Sequence, residues 1–400
     1  MGRFDEVYQA AKADPQAFWG KAAEDIHWIE KWDKVLDDSD PPYYRWFAGG
    51  TLNTCYNAVD RHVKDGRGNQ PAIIYDSPVT DTVSHLSYKQ LQEAVSKMAG
   101  ALAARGVVKG DRVIIYMPMV PEALIAMLAC ARLGAVHSVV FGGFAANELA
   151  TRIDDARPKA ILSASCGIEV NRVIPYKPLL DAAIQMAIHK PEFCIILQRP
   201  QEHAEMIAGR DHDWVEAVAA AEPHDCIPVK ATDPLYILYT SGTTGQPKGV
   251  MLTHDNLLFI AEASGSIRKI GPSDLAYGVL PTSHVFGLAS VFLGTLAHGG
   301  HLRTVSRFVP AEAARALEED GVTIFQGVPA MYAHLLELAT KRGSPLPAPK
   351  LRYLSAGGAP LDLAIKERVE KMWNQPLHNG YGLTETSPTV TTTRMESPVA

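Results

Sequence analysis

Tyr239-Thr240-Ser241-Gly242-Thr243-Thr244-Gly245-Gln246-Pro247-Lys248-Gly249 is the stretch on which the reading of this chain turns. An apolar run, Leu235-Tyr236-Ile237-Leu238-Tyr239, leads into it and reads as a buried strand. Four hydroxyls, three glycines and one lysine follow within ten residues. Glycine frees the backbone for turns in which successive N–H groups converge, and such concavities bind anions. The hydroxyls add short donors and Lys248 a mobile positive charge, a combination suited to a polyphosphate. Clusters of Gly, Ser and Thr between strands are by default plain loops. The run is also not a GxxxxGK-Ser/Thr phosphate loop, because Gly249 follows Lys248.

Three further runs lie downstream. In Leu280-Pro281-Thr282-Ser283-His284-Val285-Phe286-Gly287-Leu288 a strand ends and His284 follows in a turn. In Leu354-Ser355-Ala356-Gly357-Gly358-Ala359-Pro360 a strand enters and a helix leaves, and the small residues let a flat ring lie against the backbone. In Asn379-Gly380-Tyr381-Gly382-Leu383-Thr384-Glu385-Thr386, Tyr381 offers an aromatic face, Thr384 a hydroxyl and Glu385 a hard oxygen ligand for Mg²⁺. Taken singly, the second of these is a helix-start turn and the third an exposed loop.

Outward from these runs, strand and helix alternate. Ser87 and Gln90 form a capping box ahead of a helix to about Gly106, with Leu91, Val95, Met98 and Leu102 on one face. Strand Arg112–Met117, a helix from Pro121 to Leu133 and strand Ala135–Phe141 follow, then a short strand at Lys159–Ser163. In the second half the spacing predicts strands at Leu235–Tyr239, Ala276–Leu280, Val322–Phe325 and Lys350–Ser355. Helices are predicted around Asn256–Ile267, Pro310–Asp320, Pro329–Arg342 and Leu361–Trp373. Such alternation implies an α/β fold with parallel sheets and flanking helices. We divide the chain into an N-terminal wrapping segment (1–60) rich in Trp, Tyr and Phe, a first α/β subdomain (61–230) and a second (231–400).

Composition excludes several classes. The 400 residues are 47% hydrophobic and 20% charged with net charge -6, which disfavours nucleic acid as a partner. No apolar run is long enough for a membrane span, and the N-terminus lacks the apolar region of a secretory signal. Five scattered cysteines without CxxC spacing point to free thiols in a reducing cytoplasm rather than to disulfides or zinc.

All four runs together, in this order, resemble the adenylate-forming (AMP-binding) superfamily. The resemblance spans about Trp46 to Thr386. Up to about Gly249 the chain is similar to propionyl- and acetyl-CoA synthetases. After Val250 it looks more like long-chain acyl- and 4-coumarate–CoA ligases, with Leu383 where short-chain enzymes place a tryptophan. The resemblance implies two packed, mostly parallel sheets and ATP-dependent activation of a carboxylic acid, followed by transfer to CoA. Thr240, Ser241, Gly242, Thr243, Thr244, Gly245 and Lys248 would then hold phosphates, and Glu385 Mg²⁺. Ala356, Gly357, Gly358, Ala359, Pro360, Asn379, Gly380, Tyr381, Gly382 and Thr384 would frame the nucleotide. His284 would position the carboxylate beside Phe286, and Arg172 would meet CoA near Gly142-Gly143-Phe144. Family members continue past Glu385 into a small mobile domain with a further lysine, so the chain reads as a large domain without it. The alternatives are a non-catalytic nucleotide-binding fragment and a domain that loads a carrier protein. Self-association into a homo-oligomer and the acyl length are left open.

Overall fold

Strand, helix, strand from residue 86 to 141 fold as the pattern demands. The structure, a computed structural model, describes residues 3–77, 79–169, 172–240 and 247–396, with backbone only at 3 and 4. The Ser87 hydroxyl accepts from the Gln90 N–H (3.2 Å) and the Gln90 side chain accepts from the Ser87 N–H (2.9 Å). This reciprocal cap starts helix Tyr88–Ala103, whose Leu91, Val95, Met98 and Leu102 are fully buried. Strands Arg112–Met117 and Val136–Phe141 pair in parallel on either side of helix Pro121–Arg132.

Two sheets result. The first has seven strands in the order 211–213, 193–197, 160–164, 112–117, 136–141, 234–240, 248–253, all parallel except the last. The second has eight, in the order 389–392, 377–382, 353–356, 324–327, 275–278, 301–305, 71–77, 82–87. It is parallel inside and antiparallel at both edges. The expected α/β class with mostly parallel sheets therefore holds. Strand membership does not follow the order of the chain: residues 71–87 join the second sheet and 234–253 the first. The largest apolar cluster takes Ile115, Leu162 and Leu238 from one sheet and Ala276, Leu302 and Tyr353 from the other. Separate clusters cover the outer faces.

The N-terminal segment packs as a strap. Trp19, Trp28, Trp32, Trp46 and Phe47 meet edge to face against Val229, Ala231 and Leu258. Tyr43 and Tyr44 do not join them; they are 73% and 56% exposed. Among the described residues no helix is long and apolar enough to cross a membrane, and all five cysteines are free thiols. The cysteines are less scattered in space than in sequence. Cys55 and Cys226 share Asp60 within 4.8 Å. The Arg132 guanidinium grips that carboxylate at 2.7 and 2.9 Å, so the cluster is already neutralised and suits an ion pair better than a metal.

Candidate nucleotide and acyl site

The two ends of the decisive stretch lie on paired antiparallel strands. Strand Pro234–Thr240 turns back as Lys248–Thr253, which brings Thr240 opposite Lys248 and Tyr239 opposite Gly249. Tyr239 anchors the hairpin base: its hydroxyl donates to Asp155 at 2.7 Å and Arg152 stacks over its ring at 5.3 Å. Gly249 is needed beneath, because a Cβ there would meet Ile237 Cγ2 at 3.0 Å and the Tyr239 ring at 3.3 Å. Ser241, Gly242, Thr243, Thr244 and Gly245, predicted to cradle phosphate, lie with Gln246 outside the described residues.

Thr240 and Lys248 open onto a cleft of about 540 Å³. His284 and Phe286, Ala356 to Gly358, and Gly380 to Glu385 line the same cleft. The third run reaches it because strand Tyr353–Ala356 ends there in register with Leu377–Gly382, Ala356 opposite Asn379. Gly358 turns with φ +76, a conformation that disfavours side chains. A Cβ on Gly357 would sit 3.1 Å from the Phe286 ring, so the strand end and the His284 turn touch. The fourth run is a second hairpin. Its tip, a single turn at Thr384–Thr386, holds Glu385 exposed. The carbonyl of Pro388 closes the tip by accepting from the Leu383 N–H (2.8 Å) and the Thr386 hydroxyl (2.9 Å). Tyr381 is 60% exposed, its ring unstacked by any aromatic among the described residues.

Charge in the cleft is uncompensated from within. Among the described residues neither Lys248 nor Glu385 forms an ion pair, although both face one cavity. The His284 Nδ1 accepts from the Phe286 N–H at 3.2 Å, which leaves Nε2–H as the ring's donor. Desolvation lowers its pKa, so it works as a neutral donor. A lone carboxylate opposite a lone ammonium, with backbone turns between them, fits a metal-bound polyphosphate.

Asn379 neighbours the cleft without lining it, and Ala359 and Pro360 are exposed just beyond it. Arg172 is not brought there. It lies exposed on a two-stranded hairpin, paired in register with Glu169. Gly142 lines a second cavity of about 320 Å³ at the carboxyl ends of strands 112–117 and 136–141. There its missing Cβ leaves room for the Tyr176 hydroxyl, which it would meet at 2.5 Å. Arg268 and Ser355 also line the main cleft and were not anticipated as site residues. No local signal marks Arg268: a basic residue in the last turn of a helix reads as a solvated partner of the helix dipole.

Known proteins carry the same plan. The chain is 42% identical over 399 residues to the mitochondrial acyl-CoA synthetase short-chain family member 3 of Rattus norvegicus. It is 45% identical over 392 residues to the uncharacterized protein PA3568 of Pseudomonas aeruginosa and 36% over 374 to acetyl-coenzyme A synthetase of Laribacter hongkongensis. These matches cover 98%, 95% and 90% of this chain but 58%, 62% and 56% of the relatives, so it spans somewhat over half their length. The acetoacetyl-CoA synthetase of Streptomyces lividans superposes over the whole chain and 62% of its own, with TM-score 0.89 at 21% identity, a likeness of fold. The acetyl-coenzyme A synthetase N-terminus profile matches residues 4–58 and the AMP-binding enzyme profile residues 59–400, and the chain belongs to the AMP-binding enzyme family.

Proposed function

We propose that this chain supplies the nucleotide- and acid-binding part of an AMP-forming acyl-CoA synthetase, an acid–thiol ligase using ATP, Mg²⁺ and CoA. The observation that carries the reading is that Lys248 and Glu385, 137 positions apart in sequence (385 − 248), share one cleft with Tyr381 and the glycine-rich strand end.

Two anions must meet for a carboxylate to attack the α-phosphorus of ATP. Lys248 reduces that repulsion from the hairpin, and Thr240 donates beside it. Glu385 would hold Mg²⁺, which supplies charge neutralisation on the phosphates. Tyr381 offers its face to adenine while Gly357 and Gly380 let the ring approach backbone. Neutral His284 donates to the entering carboxylate without competing for its charge. The thiol then displaces AMP, and the cavity beside Gly142 suits the narrow pantetheine arm. Whether Arg172 meets the CoA phosphates is open to charge reversal at that hairpin. Free thiols throughout support a reducing aqueous compartment, as in the cytoplasm.

Calorimetry with ATP·Mg²⁺ and with a non-hydrolysable acyl-adenylate tests the reading. Saturable binding of both, weakened in Lys248→Ala and Glu385→Ala, is the expected result. A wild-type chain that binds neither would overturn it.

A further inference from the structure

Arg268 ends the helix His254–Arg268, yet it is 5% exposed and lines the cleft. Its guanidinium lies 5.7 Å over the Tyr353 ring, and Nη1 reaches the Ser290 carbonyl only at 3.4 Å. Among the described residues its Nε has no partner and it forms no ion pair. A buried cation without a counter-charge is costly and is rarely kept without a use.

Its surroundings are polar as well. Strands Ile324–Gly327 and Tyr353–Ala356 pair with Gln326 opposite Ser355. The two-residue period then sets Gln326, Tyr353 and Ser355 on one face of the sheet. That face turns toward the inter-sheet core, which contains Ile324 and Tyr353, while Phe325 and Leu354 point the other way. Among the described residues, both atoms of the Gln326 amide, the Tyr353 hydroxyl and the Ser355 hydroxyl are buried without partners. Interiors leave few such groups unsatisfied, and two of the residues that carry them here, Arg268 and Ser355, line the main cleft. An apolar chain end in the cleft would leave the Arg268 guanidinium and the Ser355 hydroxyl unpaired. A carboxylate offers about four lone-pair sites to the donors and a charge to the guanidinium.

We propose that the acyl pocket selects an acid bearing a second carboxylate, with one end activated beside Lys248 and the other held by Arg268 and Ser355. This rests on the adenylate-forming reading of the cleft and names the substrate class within it. Arg268 is on this account a specificity determinant that touches substrate at the end remote from the chemistry.

Matched pairs of non-hydrolysable acyl-adenylates test it, equal in chain length and ending in methyl or in carboxylate, titrated into the wild-type chain by calorimetry. At the best length the carboxylate end should bind about tenfold tighter or more, the scale of a charge-assisted hydrogen bond. Arg268→Met should lose that preference, and Arg268→Lys should retain part of it. Equal binding of both ends, or a methyl preference at every length, overturns the proposal and leaves the adenylate-forming reading standing. Hydration alone would satisfy the orphaned groups in that case. Failure of every adenylate to bind overturns both. If Arg268→Met does not fold, the wild-type ranking of the paired ligands decides the question by itself.

Discussion

Gly382→Ala should disable metal–nucleotide binding while leaving the fold in place. A Cβ at Gly382 would lie 1.7 Å from the Pro388 carbonyl oxygen and 2.7 Å from its carbon. Ordinary contacts begin at 3.4 Å, so the two hairpin strands must part by more than 1 Å. The oxygen that moves accepts two of the bonds that shape the tip, from the Leu383 N–H and the Thr386 hydroxyl. Loss of both costs about 1–3 kcal/mol of local order. The cost falls on an exposed edge hairpin, so the melting transition should shift little, whereas Glu385 is no longer held in place. That range corresponds to ATP·Mg²⁺ binding weaker by about fivefold to a hundredfold. Calorimetry with Mg²⁺ and again in EDTA reads the effect, which should be larger with the metal because Glu385 sits on the displaced tip. Wild-type affinity in the variant, or an equal loss with and without Mg²⁺, would refute the reasoning.

Lys248→Ala should weaken ATP binding about tenfold and leave adenosine binding unchanged, since only the phosphates face the ammonium; parallel titrations of the two ligands check this. Gly287→Ala should lower the urea midpoint by an amount worth about 1–3 kcal/mol, because its Cβ would meet backbone oxygens of Pro281 and Leu280 at 2.2 and 2.7 Å at the start of the buried helical segment Phe286–Leu293. Acid should destabilise the fold before most carboxylates titrate. Burial holds His137 and His254 at about 3 and His62 at about 4, against 6.5 ordinarily, so each stays neutral while the unfolded chain takes up protons as pH falls below about 6.5. Asp255, pushed up by burial to about 6, acts in the opposite sense between pH 6 and 3.8 and offsets part of this. The net loss between pH 7 and 5 is on the order of 4 kcal/mol. Urea melts across that range measure it, and His254→Asn should flatten the slope; an unchanged slope would exclude His254 as a contributor.

Local signals were legible where the physics is local. The capping box at Ser87 and Gln90 located its helix start, and Gly343 with φ +69 closes helix Pro329–Arg342 at the residue where the sequence has it end. The four runs that define the cleft could be seen because turns concentrate small and polar residues. What escaped was long-range. Nothing near residues 71–87 says that they pair with 301–305, and nothing in Lys248–Thr253 distinguishes a returning antiparallel edge from an onward loop. Cys55 and Cys226 meet at Asp60 through tertiary packing alone. Arg268 stayed hidden because burial is a property of what covers a residue, and helix 254–268 is packed into the core through Leu257, Ile260 and Ala261.

The interlaced strand order has a consequence during synthesis. The hairpin 71–87 acquires its partner only when strand His301–Val305 leaves the ribosome, more than two hundred residues later. At roughly 5–20 residues per second that is a wait of about ten to forty seconds with an unpaired edge displayed. Such an edge invites pairing with a neighbouring nascent chain. Expression at high density should therefore trap this protein in aggregates more readily than its final burial would suggest, and slowed initiation should relieve the loss.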